Sequence, residues 1–181
     1  MSGDRIHLVV LFGGQSAEHE VSCTTAAHVL AAVDPGRYRV TPVGISTEGE
    51  WSLATDAIAA LERGPRTLPS RLDPHGDRLA PSTMLGEAAD GPERTVVLPL
   101  LHGPMGEDGT VQGMLELANV AYVGAGVLGS ALAMDKAMAK QVLTAASSAC
   151  RASSSRPTWG RRSASARPRR SRACATPSAT H

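Results

Sequence analysis

Residues 1–146 predict an α/β fold, a doubly wound sheet of parallel strands, and three observations carry that expectation. Short apolar runs rich in β-branched residues recur at Ile6–Phe12, Tyr38–Ile45 and Thr95–Leu101. Segments with helical spacing lie between them, and strands that alternate with helices form sheets covered on both faces. The first run, IHLVVLF, is apolar on both of its sides, as a strand sandwiched between two helix layers requires.

Taken in order, Ile6–Phe12 is a buried strand stopped by Gly13-Gly14. Ser16 offers a helix cap, with Glu18 and Glu20 in a first turn that favours negative charge. Val21, Thr25, Val29 and Val33 recur at helical spacing as the expected inward face, and Asp34-Pro35-Gly36 ends the helix. Tyr38–Ile45 is the second strand, closing a βαβ unit, and Thr55–Arg63 is a short helix. Residues 64–93 collect Pro, Gly and Asp and read as a surface connection with room for one short hairpin. After the strand Thr95–Leu101, a glycine-punctuated loop (102–109) leads into a helix over Thr110–Asn119, with Val111, Met114, Leu115 and Ala118 on one side. Ala121–Val123 is a short strand. Val127–Met134 and Asp135–Ala146 form two successive helices or one bent helix.

Composition divides the chain. Of its 18 basic residues, eight are arginines between Ser147 and His181, a stretch with no Lys, Asp or Glu; ten basic residues then stand against all 17 acidic ones before it, a net of −7. Residues 147–181 contain no Leu, Ile, Val, Met, Phe or Tyr, and so cannot offset their ordering entropy by apolar burial. They are expected to be a disordered, Ser/Arg-rich tail. Residues 1–146 are enough for an independent core. No run is long enough for a signal peptide or a membrane span, so a cytoplasmic protein is expected. Cys23, Cys150 and Cys174 are scattered and odd in number, which fits a reducing compartment.

Three segments could carry chemistry. Gly13-Gly14-Gln15-Ser16-Ala17-Glu18-His19-Glu20-Val21-Ser22 and His102–Gly113 (HGPMGEDGTVQG) each follow a buried strand, so both loops open on the edge where doubly wound sheets bind ligands. Neither is GxGxxG or a P-loop, so a dinucleotide or Walker-type site is not supported. Glu18 and Glu20 could equally serve the helix dipole, and Glu107 and Asp108 could cap the next helix. The third segment is Met134-Asp135-Lys136-Ala137-Met138-Ala139-Lys140, where Lys136 and Lys140 share a helix face as a solvated basic patch or a phosphate contact.

Together, GGQSAEHEVS, HGPMGEDGTVQG and YVGAGVLGSALAMDK resemble, in order and spacing, the motifs of the D-alanine–D-alanine ligases. The resemblance spans residues 1 to about 146. It implies a Rossmann-like N-terminal domain (pre-ATP-grasp) over 1–134, the start of an ATP-grasp region over 135–146, and 147–181 outside the family pattern. The implied activity joins two D-alanines for peptidoglycan synthesis and cell-wall biogenesis. ATP phosphorylates the first carboxylate, and the second amine attacks the acyl-phosphate, with magnesium neutralising the phosphates. By resemblance, Glu18 is a catalytic and substrate-binding residue that holds the first D-alanine's ammonium as a partly desolvated carboxylate. His102 lines the same pocket, Ser22 is counted with the substrate-binding residues, Lys136 contacts the nucleotide, and Ser22, Glu107 and Asp108 are given loop-shaping or hydrogen-bonding roles only. No metal ligand is assigned. A homodimer through the N-terminal domain is implied, with neither membrane nor nucleic acid as a partner.

Family members continue well beyond the MDK motif, through phosphate-binding and metal-binding segments that have no counterpart here. The switch to Arg, Ser, Ala and Pro near Ser147 is what a GC-rich gene yields when translated out of register, so the chain as written is expected to be inactive. The alternative is a non-catalytic small-molecule-binding or dimerisation module with a basic tail.

Overall fold

The computed structural model describes residues 5–91 and 94–153. The chain divides into two units, Met1–Thr144 and Ala145–His181. The first unit holds the sheet.

Strand β1 (Ile6–Gly13) leads through α1 (His19–Ala32) to β2 (Tyr38–Ile45) and β3 (Trp51–Leu53). Helix α2 (Thr55–Arg63), a 3-10 turn (Pro65–Thr67), β4 (Asp77–Arg78) and α3 (Pro81–Asp90) follow. The chain then forms β5 (Thr95–Pro99), α4 (Thr110–Leu117), β6 (Ala121–Tyr122), α5 (Val127–Met134) and α6 (Lys136–Ser153). The sheet order is β4-β3-β2-β1-β5-β6.

β1 lies at the centre because both of its faces are apolar. Leu8, Val10 and Phe12 enter one cluster with Ala26, Ala27 and Leu30 of α1 and Ala57 of α2. Val9 and Leu11 enter the other with Met84 of α3 and Val111 and Leu115 of α4. Phe12, the only phenylalanine, is fully buried, and its removal from water stabilises the fold by roughly 1.5–3 kcal/mol.

The doubly wound expectation holds, but the sheet is mixed. β2, β1, β5 and β6 are parallel, whereas β3 and β4 extend the β2 edge antiparallel. The residues 64–93 also contain a full helix, α3, opened by Pro81 at its first turn. Where a hairpin was expected in that stretch, β4 instead pairs back on β3.

α1 departs from its predicted start and face. Ser16 does not cap it: residues 15–18 make a turn in which the Glu18 N–H donates to Ser16 Oγ at 3.2 Å, and the helix begins at His19. Its buried residues are His19, Ser22, Cys23, Ala26, Ala27 and Leu30, while Val21 is 54% exposed. Small side chains on that face let the helix approach β1 closely, so size outranks hydrophobicity in setting its orientation.

Asp135 separates α5 from α6. Its backbone is extended, and Oδ1 accepts from the N–H groups of Ala137 (2.9 Å) and Met138 (3.0 Å), an N-cap. The helix then runs on to Ser153, so residues 147–153 are helical rather than part of an unstructured tail. An established helix adds an Ala-rich stretch without a new nucleation cost. Residues 154–181, the rest of the expected tail, lie outside the described residues.

Candidate functional site at the sheet's switch point

From β1 the chain crosses to β2 on one side and later returns to β5 on the other, so connectivity reverses between β1 and β5. Ligands of open α/β sheets bind outside the carboxyl ends of the strands at such a reversal. Here that place is built by the Gly13–Glu18 turn and the 100–109 loop.

Both backbones are fastened from below. The Gly13 N–H donates to Ser22 Oγ at 2.8 Å, and the Ser22 O–H donates to the Leu100 carbonyl at 2.6 Å. One fully buried hydroxyl thus joins the end of β1 to the residue after β5. Gly13 has φ +85°, and a Cβ there would meet the Ile45 carbonyl oxygen at 2.3 Å, so only glycine fits.

The second loop is folded on its own acids. Glu107 Oε2 accepts from the Gly103 N–H at 2.8 Å. Asp108 accepts from the N–H groups of Met105 (2.8 Å) and Thr110 (2.9 Å), the latter at the start of α4. Partial burial opposes the charge on Asp108, but these backbone donors outweigh it and hold the carboxyl below its ordinary 3.8. Gln112 is buried and donates from Nε2 to the Gly106 carbonyl at 2.9 Å.

Between the loops lies a cleft of about 180 Å³ whose walls include Gly14, Gln15, Trp51, His102, Met105 and Met114. His102 is the predicted site residue that lines it. Its Nδ1 stands 3.9 Å from Glu107 Oε1, and its Nε2 is buried with no hydrogen-bond partner among the described residues.

Glu18 stands on the adjoining rim. A Cβ placed on Gly103, whose φ is +71°, would lie 3.3 Å from Glu18 Oε2, so the carboxylate sits directly over the residue after His102. The structure therefore brings Glu18 and His102 to one edge. Glu18 is exposed rather than partly desolvated, because the 15–18 turn stands clear of the sheet ahead of α1. Ser22 is under the site, with its hydroxyl committed to two backbone partners. Lys136 is exposed in the first turn of α6 and does not line the cleft.

Sequence reasoning did not single out Trp51, from the three-residue strand β3, or His19, which is buried beneath the glycine turn. Among the described residues no group of three His, Cys, Asp or Glu side chains could hold a metal ion, and no helix is long and apolar enough to cross a membrane.

Residues 7–125 match the family described as D-ala D-ala ligase N-terminus. The chain belongs to that family. Curated D-alanine–D-alanine ligases share it: that of Nocardia farcinica is 49% identical over 155 residues, covering 78% of this chain and 42% of the relative. That of a Methylobacterium species is 51% identical over 146 residues, 77% of this chain and 37% of the relative. Among solved structures, the VanG D-Ala:D-Ser ligase of Enterococcus faecalis superposes with a TM-score of 0.59 at 32% identity, covering 79% of this chain and 42% of that one. The Coxiella burnetii D-alanine–D-alanine ligase gives 0.56 at 31% identity, with 80% and 42% covered. This D-alanine–D-alanine ligase family chain spans about two fifths of the length of the relatives it matches.

Proposed function

We propose that this chain carries the first-substrate half-site of an ATP-dependent ligase that joins two D-alanines for peptidoglycan synthesis. The observation that supports it most is the convergence of Glu18 and His102 on the β1–β5 crevice, in the family's two signature loops. The ammonium of D-alanine would meet the Glu18 carboxylate in a charge-assisted hydrogen bond, with His102 bordering the same cleft. Ser22, whose hydroxyl is already engaged twice, acts by holding the two loops together.

The remaining assignments are of the same kind. Residues 1–134 would form the substrate-binding domain, and 135–146 the start of the nucleotide-binding region, with Lys136 reaching a phosphate. Lys136 is a lone exposed lysine, which does not replace several groups acting in concert. We therefore expect no acyl-phosphate formation by the 181 residues alone. The homodimer through the N-terminal domain is proposed on the family resemblance alone. A cytoplasmic location accords with the three scattered cysteines of the chain.

Titration of the ¹⁵N-labelled chain with D-alanine and, separately, L-alanine tests the reading. D-alanine should shift the amides of Gly14, Gln15, Glu18 and Gly103, L-alanine much less. Equal shifts with both enantiomers, or none with either, would remove D-alanine from the site. Incubation with ATP, magnesium and D-alanine should release phosphate only at background.

A further inference from the structure

His19 is a buried titratable residue with no part in the chemistry above. It is 9% exposed, and its Nδ1 lies 2.7 Å from the Gly14 carbonyl oxygen. A carbonyl only accepts, so Nδ1 is the protonated nitrogen. The ring tucks directly under the glycine turn: a Cβ on Gly13 would meet His19 Cε1 at 3.0 Å.

Gly13 and Gly14 are consecutive glycines at φ +85° and +94°, the second of which lines the ligand cleft, and such a pair has the greatest backbone freedom of any dipeptide. Its peptides must be tied from outside. Ser22 holds the Gly13 N–H, and the Ile45 carbonyl accepts from the Gly14 N–H at 2.7 Å. The Gly14 carbonyl is held in turn by His19.

We infer that His19 is a positioning residue of the ligand cleft: by engaging the Gly14 carbonyl it fixes the glycine wall and keeps that acceptor from competing with Glu18 for an ammonium group. The inference rests on the D-alanine reading only for the identity of the ligand. His19 reaches the ligand through Gly14 and touches no reacting atom. The same ring borders a second cleft, of about 330 Å³, with Glu20, Arg71, Asp73 and His75. Glu20 is ion-paired with Arg71 and Asp73 with His75, so His19 has a polar outer side without a charged partner of its own among these pairs.

Asparagine places its amide nitrogen where histidine places Nδ1, whereas leucine keeps bulk and removes the donor. In the full 181-residue chain, His19→Leu should speed amide exchange at Gly14 and Gln15 about tenfold while Val9–Leu11 stay unchanged, and His19→Asn should stay within about twofold of the parent. D-alanine affinity, read from the same labelled samples, should fall about threefold in the leucine variant and return in the asparagine variant. Unchanged exchange in His19→Leu, or equal acceleration in His19→Asn, overturns the inference. So does faster exchange with parental D-alanine affinity, which would make His19 structural only. If the parent does not bind D-alanine, the substrate reading falls, and the exchange comparison alone decides whether His19 holds the turn. Should His19→Leu not fold, His19→Gln, whose amide cannot reach the Nδ1 position, takes its place.

Discussion

Replacing Ser22 by alanine deletes one oxygen atom and strands two backbone groups, the Gly13 N–H and the Leu100 carbonyl, which it holds at 2.8 and 2.6 Å. The site is fully buried, so water has no ready access to either. A buried polar group left unpaired costs about 1–3 kcal/mol, and the two share one partner, so their combined cost is about 2–4 kcal/mol. The volume lost is too small to add a large cavity penalty. Urea unfolding followed by circular dichroism should show a lower midpoint with the slope retained, and the melting temperature should fall on the order of 10 °C. Because the hydroxyl joins β1 to the loop after β5, the amides of Gly13, Gly14 and Leu101 should also exchange faster in the folded state. A loss below about 0.5 kcal/mol would refute the reasoning. Full stability combined with lost D-alanine binding would refute it differently, by showing that Ser22 touches the ligand itself.

Two further outcomes follow from protonation. Asp108 has a folded-state pKa held below 3.8, so its support of the 102–109 loop is present above that value and lost as the pH falls through the depressed one. The amide shifts of Met105 and Thr110 should therefore be flat from about pH 7 to about pH 5 and change only below about pH 4, and Asp108→Asn should abolish the change. Burial, aided by the nearby Glu20 charge and less by Asp73, pushes the Cys23 thiol up to about 11, against the opposing charge of Arg71. At about pH 8 the Cys23 peptide should resist alkylation until the protein unfolds, and rapid labelling in the native state would contradict its placement.

The sequence made the centre of this fold legible because its elements are dictated locally. Tyr38–Ile45 and Thr55–Arg63 form with the predicted bounds, and β1 runs only one residue past Phe12. α3 was hidden because its apolar face is short, Met84 buried with Leu85 and Ala88 half-buried beside it, amid Pro, Gly and Asp. β3 and β4, three and two residues long, exist through pairing, β3 with β2 across the 46–50 turn and β4 with β3, and no local period announces them. The face of α1 was misread because Val21 stands outward while Ala26 and Ala27 pack. At the site, Glu18 and His102 were legible from the loops that carry them, and the sheet reversal brings them together. For Ser22 the resemblance implied a loop-shaping or hydrogen-bonding role but not its partners, and His19 was not legible as a fastener. What each does depends on where the chain's carbonyls point, and that is set only once β1, β2 and β5 are in register.

The central claim is that an exposed Glu18 carboxylate at the β1–β5 crevice receives the D-alanine ammonium. Glu18→Gln keeps the side chain's shape and removes its charge. An exposed charge pair contributes up to about 1 kcal/mol, so D-alanine affinity of the variant, measured by amide titration, should fall about fivefold with the melting temperature unchanged. An unchanged affinity accompanied by a lower melting temperature would contradict the claim, and would leave Glu18 as a carboxylate that serves only the dipole of α1.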